Sequence, residues 1–142
     1  MKSFLITFKP ATENPEQGWP IESLQSLVGR HHRGERVREN WRFHNRKEVS
    51  VGDRVFLLLQ GKKGPAIIGY GEVWGMPENH DGRWRVEVEF ESIVDPTGGV
   101  LAKKADLLAI KGAQTMWRTQ ASGVKLPTSV ATELEALVVG RS

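Results

Sequence analysis

The stretch that decides the fold runs from Trp41 to Gly61 and reads WRFHNRKEVSVGDRVFLLLQG. A basic segment with aromatic residues comes first, a Gly52-Asp53 turn follows, and an apolar run extends from Arg54 to Leu59. A nearly continuous apolar run of this length is typical of a strand that is buried on both faces. We expect Asp53 to close the turn, because aspartate side chains accept hydrogen bonds from nearby backbone amides.

The residues on either side of this stretch predict the other elements. Strands are predicted over Phe4 to Phe8, Ala66 to Trp74 and Trp84 to Phe90, and helices over Pro20 to Gly29, Lys103 to Ile110 and from Thr128 onward. The two glycines inside the Ala66 strand indicate a bulge, a bend or the close approach of a ligand. The polar segment 31–40 is predicted to be a loop or an exposed helical turn. Together these elements predict one α+β domain over residues 1–142, with a small curved sheet or partly closed barrel.

The composition is that of an ordinary globular chain of 142 residues, 39% apolar and 26% charged. The absence of cysteine excludes disulfides, thiol catalysis and thiolate metal sites. The apolar run at the N-terminus is too short for a signal peptide, and no stretch approaches the roughly 18 apolar residues of a membrane span. We therefore expect a soluble, cytoplasmic protein without a membrane partner.

The basic charge is concentrated in one short segment, residues 30–47. Seven basic and two acidic side chains give this segment a charge of +5, so the other 124 residues sum to −2 against the total of +3. Such a concentration is expected of a surface that faces a polyanion, although a solvated helix face is the alternative. The side chains predicted to contact phosphates are Arg36, Arg38, Arg42, Arg46 and Lys47.

The five tryptophans of the chain suggest a pocket for a flat ligand. Trp41 and Trp117 lie among polar and charged neighbours, which favours a pocket over the alternative of a core position, whereas Trp74 and Trp84 lie on predicted strands and are expected to be core residues. Aromatic walls beside hydrogen-bonding groups suit an unstacked base. The residues predicted to form a base-binding pocket are Trp41 and Trp117, which would stack on the base, with Asn45, Gln60 and Ser122 at its edge.

The sequence contains no convincing catalytic or metal-binding motif. The four histidines match no common zinc spacing, and the alternating carboxylates Glu87, Glu89 and Glu91 are expected to be solvated. Ser122 lacks the glycine pattern of a nucleophile elbow. We therefore predict no catalytic residues, no metal and no cofactor.

Several of these motifs resemble the EVE domains of the PUA-like superfamily, in particular the EVE-like modules of modification-dependent HNH endonucleases. The motifs are a tryptophan before a basic stretch, the segments VGDRVFLL, QGKKGP and IIGYGEV within residues 51–73, and WRTQASG at residues 117–123. The resemblance implies a PUA-like curved β-barrel flanked by helices. The related YTH and SRA domains hold a flipped modified base in an aromatic pocket.

By this resemblance, Trp41 belongs to the aromatic cage, and Gln60-Gly61 and the segment 117–123 lie near the same pocket. Phe8-Lys9-Pro10 departs from the pattern, which has a more polar tryptophan-asparagine pair there. No HNH segment follows, so we expect any restriction function to need a nuclease domain or another effector.

The function expected from the sequence is recognition in DNA of a modified base that is flipped out of the duplex, and we expect this base to be a modified cytosine such as 5-methylcytosine. Three alternatives remain open. An RNA-binding PUA-like domain would use the same surface, and a peptide-binding module would use the same aromatic groove. An amidohydrolase of the related ASCH type would need a lysine and a carboxylate in the cleft, taken from Lys47, Lys62, Glu48 and Glu72.

Overall fold

A seven-stranded sheet is the centre of the computed structural model, which describes residues 1–11 and 19–139. The strands are β1 (Ser3–Phe8), β2 (Val37–Arg42), β3 (Arg54–Leu59), β4 (Ala66–Val73), β5 (Glu78–His80), β6 (Arg83–Ile93) and β7 (Val124–Lys125). The helices are α1 (Ile21–His32), α2 (Lys104–Leu108) and α3 (Thr128–Val138), with a 3-10 turn at Met116–Arg118. The predicted α+β class is therefore confirmed.

The strands follow the order β2-β6-β4-β3-β1-β7, and β5 pairs with β6. β1 and β3 are parallel, and the other pairs are antiparallel. No helix among residues 1–11 and 19–139 has the length and apolar character needed to cross a membrane.

β3 is buried on both faces, as its apolar run predicts. Val55, Leu57 and Leu59 belong to a core cluster that includes α1, whereas Phe56 and Leu58 belong to a second cluster with α2 and α3. Successive side chains of a strand point to opposite faces, so one short strand supplies both clusters. The sheet is thus sandwiched between two layers of apolar side chains.

The two outer ends of the sheet are joined by hydrogen bonds outside the regular ladder. After β2, the backbone amide of His44 donates to the carbonyl of Ser122 at 2.6 Å, and that of Asn45 donates to Gly123 at 3.2 Å. The indole Nε1 of Trp41 donates to the carbonyl of Thr7 on β1 at 2.8 Å. These contacts, which we call the edge closure, curl the sheet into the partly closed barrel that the sequence predicts.

Local features around β3 and β4 also agree with expectation. Asp53 closes its turn, since its carboxylate accepts from the amides of Ser50 at 2.8 Å and Lys2 at 3.1 Å. The pairing of β4 with β6 shifts register at Gly71, where a Cβ would lie 2.0 Å from the carbonyl oxygen of Glu89. The predicted bulge is therefore present, and the group that lies close to Gly71 is the backbone of β6.

The prediction of a loop or helical turn for residues 31–40 holds for residues 31–36 and was wrong for residues 37–40, which are a strand. α1 passes through Gly29, its predicted end, and reaches His32, and β2 begins at Val37. Val37 and Trp41 are buried while the side chains between them are partly or fully exposed. β2 lies at the edge of the sheet, and its solvent-facing side chains are charged. They obscure the alternation of apolar and polar residues that indicates a strand. The short strand β5 was also not predicted.

The edge closure leaves no room for a side chain at position 123. Gly123 has φ +85°, and a Cβ there would lie 2.7 Å from both the Phe43 ring and the backbone nitrogen of His44. We expect Gly123→Ala to lower the free energy of unfolding by about 2 to 3 kcal/mol more than a control glycine with the same backbone strain. Chemical denaturation measures the difference.

Gly112→Ala is the matched control, because Gly112 has φ +81° and open space around its Cβ position. Equal losses of stability in the two variants would show that the clash at the edge closure is relieved without cost.

Candidate functional site

A cavity of about 620 Å³ opens beside the edge closure. Its walls come from β1, from β2 and the segment after it, from the start of β6, and from residues 120–122. Stretches of chain that are distant in sequence therefore meet here because the sheet curls. The volume lies within the range of about 300–1,000 Å³ that is usual for small-molecule pockets.

Three tryptophan rings line this cavity: Trp19, Trp41 and Trp84. Trp41 is only 2% exposed and packs against Trp19 with ring centroids 4.5 Å apart and planes inclined by 32°. Its indole hydrogen bond to Thr7 locks the ring in place. Trp84 is partly exposed, and the guanidinium of Arg46 lies 4.6 Å from the centroid of its ring. The cavity thus offers flat apolar surfaces in a fixed geometry.

Five basic side chains share the cavity: Lys9, Arg42, Arg46, Arg83 and Arg85. No carboxylate lines it within residues 1–11 and 19–139, and none of the five forms an ion pair with another residue of those ranges. Unneutralised positive charge in a concave site strengthens the local field and attracts anions.

Arg54, on the other face of the sheet, shows the opposite arrangement. It contacts Glu135 at 2.8 Å and Glu91 at 3.1 Å, and its guanidinium also lies over the Tyr70 ring. Burial acts to lower the pKa of Arg54, but the hydrogen bonds and charges of the two glutamates outweigh it and raise the pKa above its ordinary value. Arg54 therefore serves to attach α3 to the sheet.

Three of the five residues predicted for the base pocket line the cavity: Trp41, Gln60 and Ser122. The amide nitrogen of Gln60 donates to the carbonyl of Thr119, which orients the side chain. The hydroxyl of Ser122 accepts from the Thr7 amide at 3.1 Å and still has a proton to donate. Asn45 lies outside the cavity wall, and its backbone amide takes part in the edge closure.

Trp117 does not reach the cavity. It is 3% exposed, belongs to the second core cluster, and donates its indole N–H to the carbonyl of Leu107 at 2.9 Å. It borders a separate depression of about 210 Å³. This placement argues against the predicted stacking role of Trp117. Its neighbours in the sequence are polar, but its ring packs under α2 in the second core cluster.

Two of the predicted phosphate contacts, Arg42 and Arg46, line the cavity. Arg38 points elsewhere: its Nε contacts Glu89 at 3.0 Å, and its guanidinium lies 3.9 Å from the centroid of Trp74. Arg36 and Lys47 are exposed outside the cavity wall. Their contacts with phosphate stay predictions.

Sequence reasoning missed Lys9, Trp19 and the run Arg83-Trp84-Arg85. In the β2–β6 ladder Arg42 is opposite Arg85, so pairing brings a second basic-aromatic segment beside the first. The local signal was the tryptophan flanked by arginines in that run. Trp84 was expected in the core and instead lies partly exposed at the cavity, and Trp74, also expected in the core, is 38% exposed.

The residues considered for an amidohydrolase do not converge. Lys47, Glu48, Lys62 and Glu72 are all absent from the cavity wall, and Glu48 contacts Lys125 at 3.5 Å. No group of three histidines or carboxylates suited to a metal ion occurs in the described part of the chain. The groups present in the cavity are suited to stacking, hydrogen bonding and anion contact.

No protein-family model matches this chain, and no curated protein sequence matches it. Solved structures do. Human THYN1, in complex with DNA containing 5-methylcytosine, matches with a TM-score of 0.62 and 13% identity over 98% of each chain. A protein from Leishmania major matches with a TM-score of 0.59 and 16% identity over 94% of this chain and 92% of its own.

The Mmi1 YTH domain also matches, with a TM-score of 0.55 and 10% identity over 96% of this chain and 75% of its own. These likenesses define the class of fold: the chain has the PUA-like architecture shared by EVE and YTH domains. The expectation of an EVE-like fold is therefore confirmed.

The different placements of Trp84 and Trp117 predict different effects on stability. We expect Trp117→Ala to lower the free energy of unfolding by about 3–5 kcal/mol, because it leaves a buried cavity and an unpaired carbonyl. Trp84→Ala is expected to cost about 1 kcal/mol or less, because its ring is partly exposed. Urea denaturation of the two variants tests this, and a reversed order would contradict the assignment of core and cavity wall.

Proposed function

We propose that this protein binds nucleic acid and holds a modified base in its cavity, and that the base is a modified cytosine in DNA. One observation carries the proposal. A single cavity of about 620 Å³ combines three tryptophan rings with five basic side chains, and no carboxylate from the described residues lines it. Flat aromatic surfaces suit a base, and unpaired cations suit the phosphates on either side of it.

The aromatic residues supply the base contacts. Trp19 and Trp84 are partly exposed and supply rings that a ligand can reach. Trp41 is buried, so it contributes by packing behind Trp19 and holding that ring in place. Stacking of a base on an aromatic side chain contributes roughly 1–3 kcal/mol. Gln60 and Ser122 offer donors and acceptors to the edge of the base. A base inside a duplex cannot reach such a wall, so the nucleotide must be flipped out.

The basic residues supply the contacts with the nucleic-acid backbone. Arg42 and Arg46 belong to the basic segment 30–47. Lys9 follows the end of β1, and Arg83 and Arg85 lie at the start of β6. Arg36 and Lys47 extend the positive surface beyond the cavity. Binding should therefore weaken as the salt concentration rises.

The structure of human THYN1 with DNA containing 5-methylcytosine supports the choice of a modified cytosine. The same surface could bind RNA, and the experiment below includes that alternative. A restriction function would in addition need a nuclease domain or another effector, because the cavity offers binding groups alone.

The proposal predicts a preference for one modified duplex. Matched duplexes with cytosine, 5-methylcytosine, 5-hydroxymethylcytosine or N6-methyladenine, and a single-stranded RNA, are titrated at two salt concentrations by fluorescence anisotropy. We expect a modified-cytosine duplex to bind most tightly at both salt concentrations. Equal binding of all duplexes, or tighter binding of RNA, would contradict the proposal.

Replacing Trp84 tests the stacking contact directly. We expect Trp84→Ala to weaken binding of the preferred duplex about tenfold, the magnitude of one base–aromatic stack. Trp74→Ala is the matched control, because Trp74 is also an exposed tryptophan under an arginine but lies outside the cavity wall. A similar loss in both variants would argue against the cavity as the binding site.

Arg42 should contribute to the salt dependence. If it contacts a phosphate, Arg42→Gln lowers the slope of log K against log salt by about one unit. Arg38→Gln is the control, since Arg38 is already paired with Glu89. An unchanged slope for Arg42→Gln would remove that residue from the phosphate contacts.

A further inference from the structure

Arg85 has a hydrogen-bond donor that the rest of the described chain does not satisfy. The side chain lines the cavity, and its Nε is buried without an acceptor from residues 1–11 or 19–139. Leaving a buried donor of a charged group unpaired is unfavourable, and such groups normally have a partner. The Nε itself is closed to solvent, whereas the Arg85 side chain is partly exposed and lines the cavity, so an acceptor from a ligand reaches this donor when the side chain reorients.

Arg42 increases this positive charge. It is the direct cross-strand neighbour of Arg85 in the pairing of β2 with β6. Like charges in directly opposite positions on neighbouring strands destabilise the pair. A negative group placed between them would remove the repulsion and accept hydrogen bonds from both.

Elsewhere in the molecule, buried or half-buried arginines are neutralised. Arg54 has Glu91 and Glu135, and Arg38 has Glu89. The fold therefore supplies carboxylates where arginine has a structural role. Arg36, Arg42 and Arg118 are exposed and unpaired among the described residues. Arg36 and Arg118 lie outside the cavity wall, whereas Arg42 lines it opposite the partly buried Arg85.

We infer that Arg42 and Arg85 form an oxyanion site inside the cavity, which binds a phosphate or carboxylate on the same nucleotide whose base lies against the tryptophans. This inference rests on the proposed function, because it assigns part of that cavity. It adds that the pocket recognises an anionic nucleotide unit. A neutral base and sugar would contact the tryptophans but leave the two arginines without an anionic partner. Guanidinium groups bind both oxyanions through paired N–H donors.

The test compares three small ligands: 5-methyl-2′-deoxycytidine, its 5′-monophosphate, and 5-carboxy-2′-deoxycytidine. The first is neutral, the second carries the oxyanion on the sugar, and the third carries it on the base. Binding is followed by NMR at constant ionic strength, through the indole N–H of Trp84 and the Nε–H of Arg85.

We expect at least one anionic ligand to bind about tenfold more tightly than the neutral nucleoside, the effect of a charge-assisted hydrogen bond. Each ligand that gains this affinity should shift the Nε–H resonance of Arg85, and the neutral nucleoside should not. Which of the two anionic ligands gains it shows whether the site takes the oxyanion on the sugar or on the base. Equal affinity of all three ligands, or an Arg85 resonance that none of them shifts, would overturn the inference.

Two variants separate a specific site from general attraction. Arg85→Gln and Arg42→Gln should each reduce the advantage of the anionic ligand to about twofold or less. Arg118→Gln makes the same change of charge at an exposed arginine outside the cavity and should preserve the advantage. Equal losses in all three variants would also overturn the oxyanion site. Thermal denaturation confirms that each variant is folded.

The oxyanion site and the proposed function can fail separately. A preference for a modified duplex without any anionic advantage among the small ligands would overturn the oxyanion site alone. An anionic advantage without a preference among the duplexes would leave the oxyanion site in place and overturn recognition of the modified base.

Discussion

The edge closure is the constraint on which the candidate site depends. The amides of His44 and Asn45 bond to the carbonyls of Ser122 and Gly123, and the indole of Trp41 bonds to Thr7. These bonds join parts of the chain that belong to opposite ends of the sheet order. Backbone amides that approach a barrel interior need such partners. The same hydrogen bonds that satisfy these amides also bring the walls of the cavity together.

The arginines and tryptophans each divide into two groups by their environment. Arg54 and Arg38 have carboxylate partners, whereas the four arginines of the cavity have none among the described residues. Trp117 is enclosed under α2, whereas Trp84 faces the cavity. Residue type alone therefore does not identify the binding groups. Pairing, burial and position together distinguish structural side chains from those free to contact a ligand.

Much of the fold could be predicted because its signals are local. The run Arg54 to Leu59 indicated a strand buried on both faces, and helical spacing indicated a helix from Thr128, as observed. The candidate site was predicted only in part. Trp41, Gln60 and Ser122 line the cavity, but Trp117 does not, and Arg83-Trp84-Arg85 was missed. Polar neighbours suggested exposure for Trp117, yet burial depends on contacts with residues distant in sequence.

By itself, the sequence determined the strands β1, β3, β4 and β6, the three helices, the turn at Asp53, an irregularity at the glycines of β4 and the position of the basic segment. Each of these follows from side-chain periodicity, backbone preference or charge within a few neighbouring residues. Only the tertiary structure decided which side chains share the cavity. That outcome depends on the register that places Arg42 opposite Arg85 and on the edge closure that joins residues 43–45 to 122–123. Both are contacts over long sequence separations, and no local pattern specifies them.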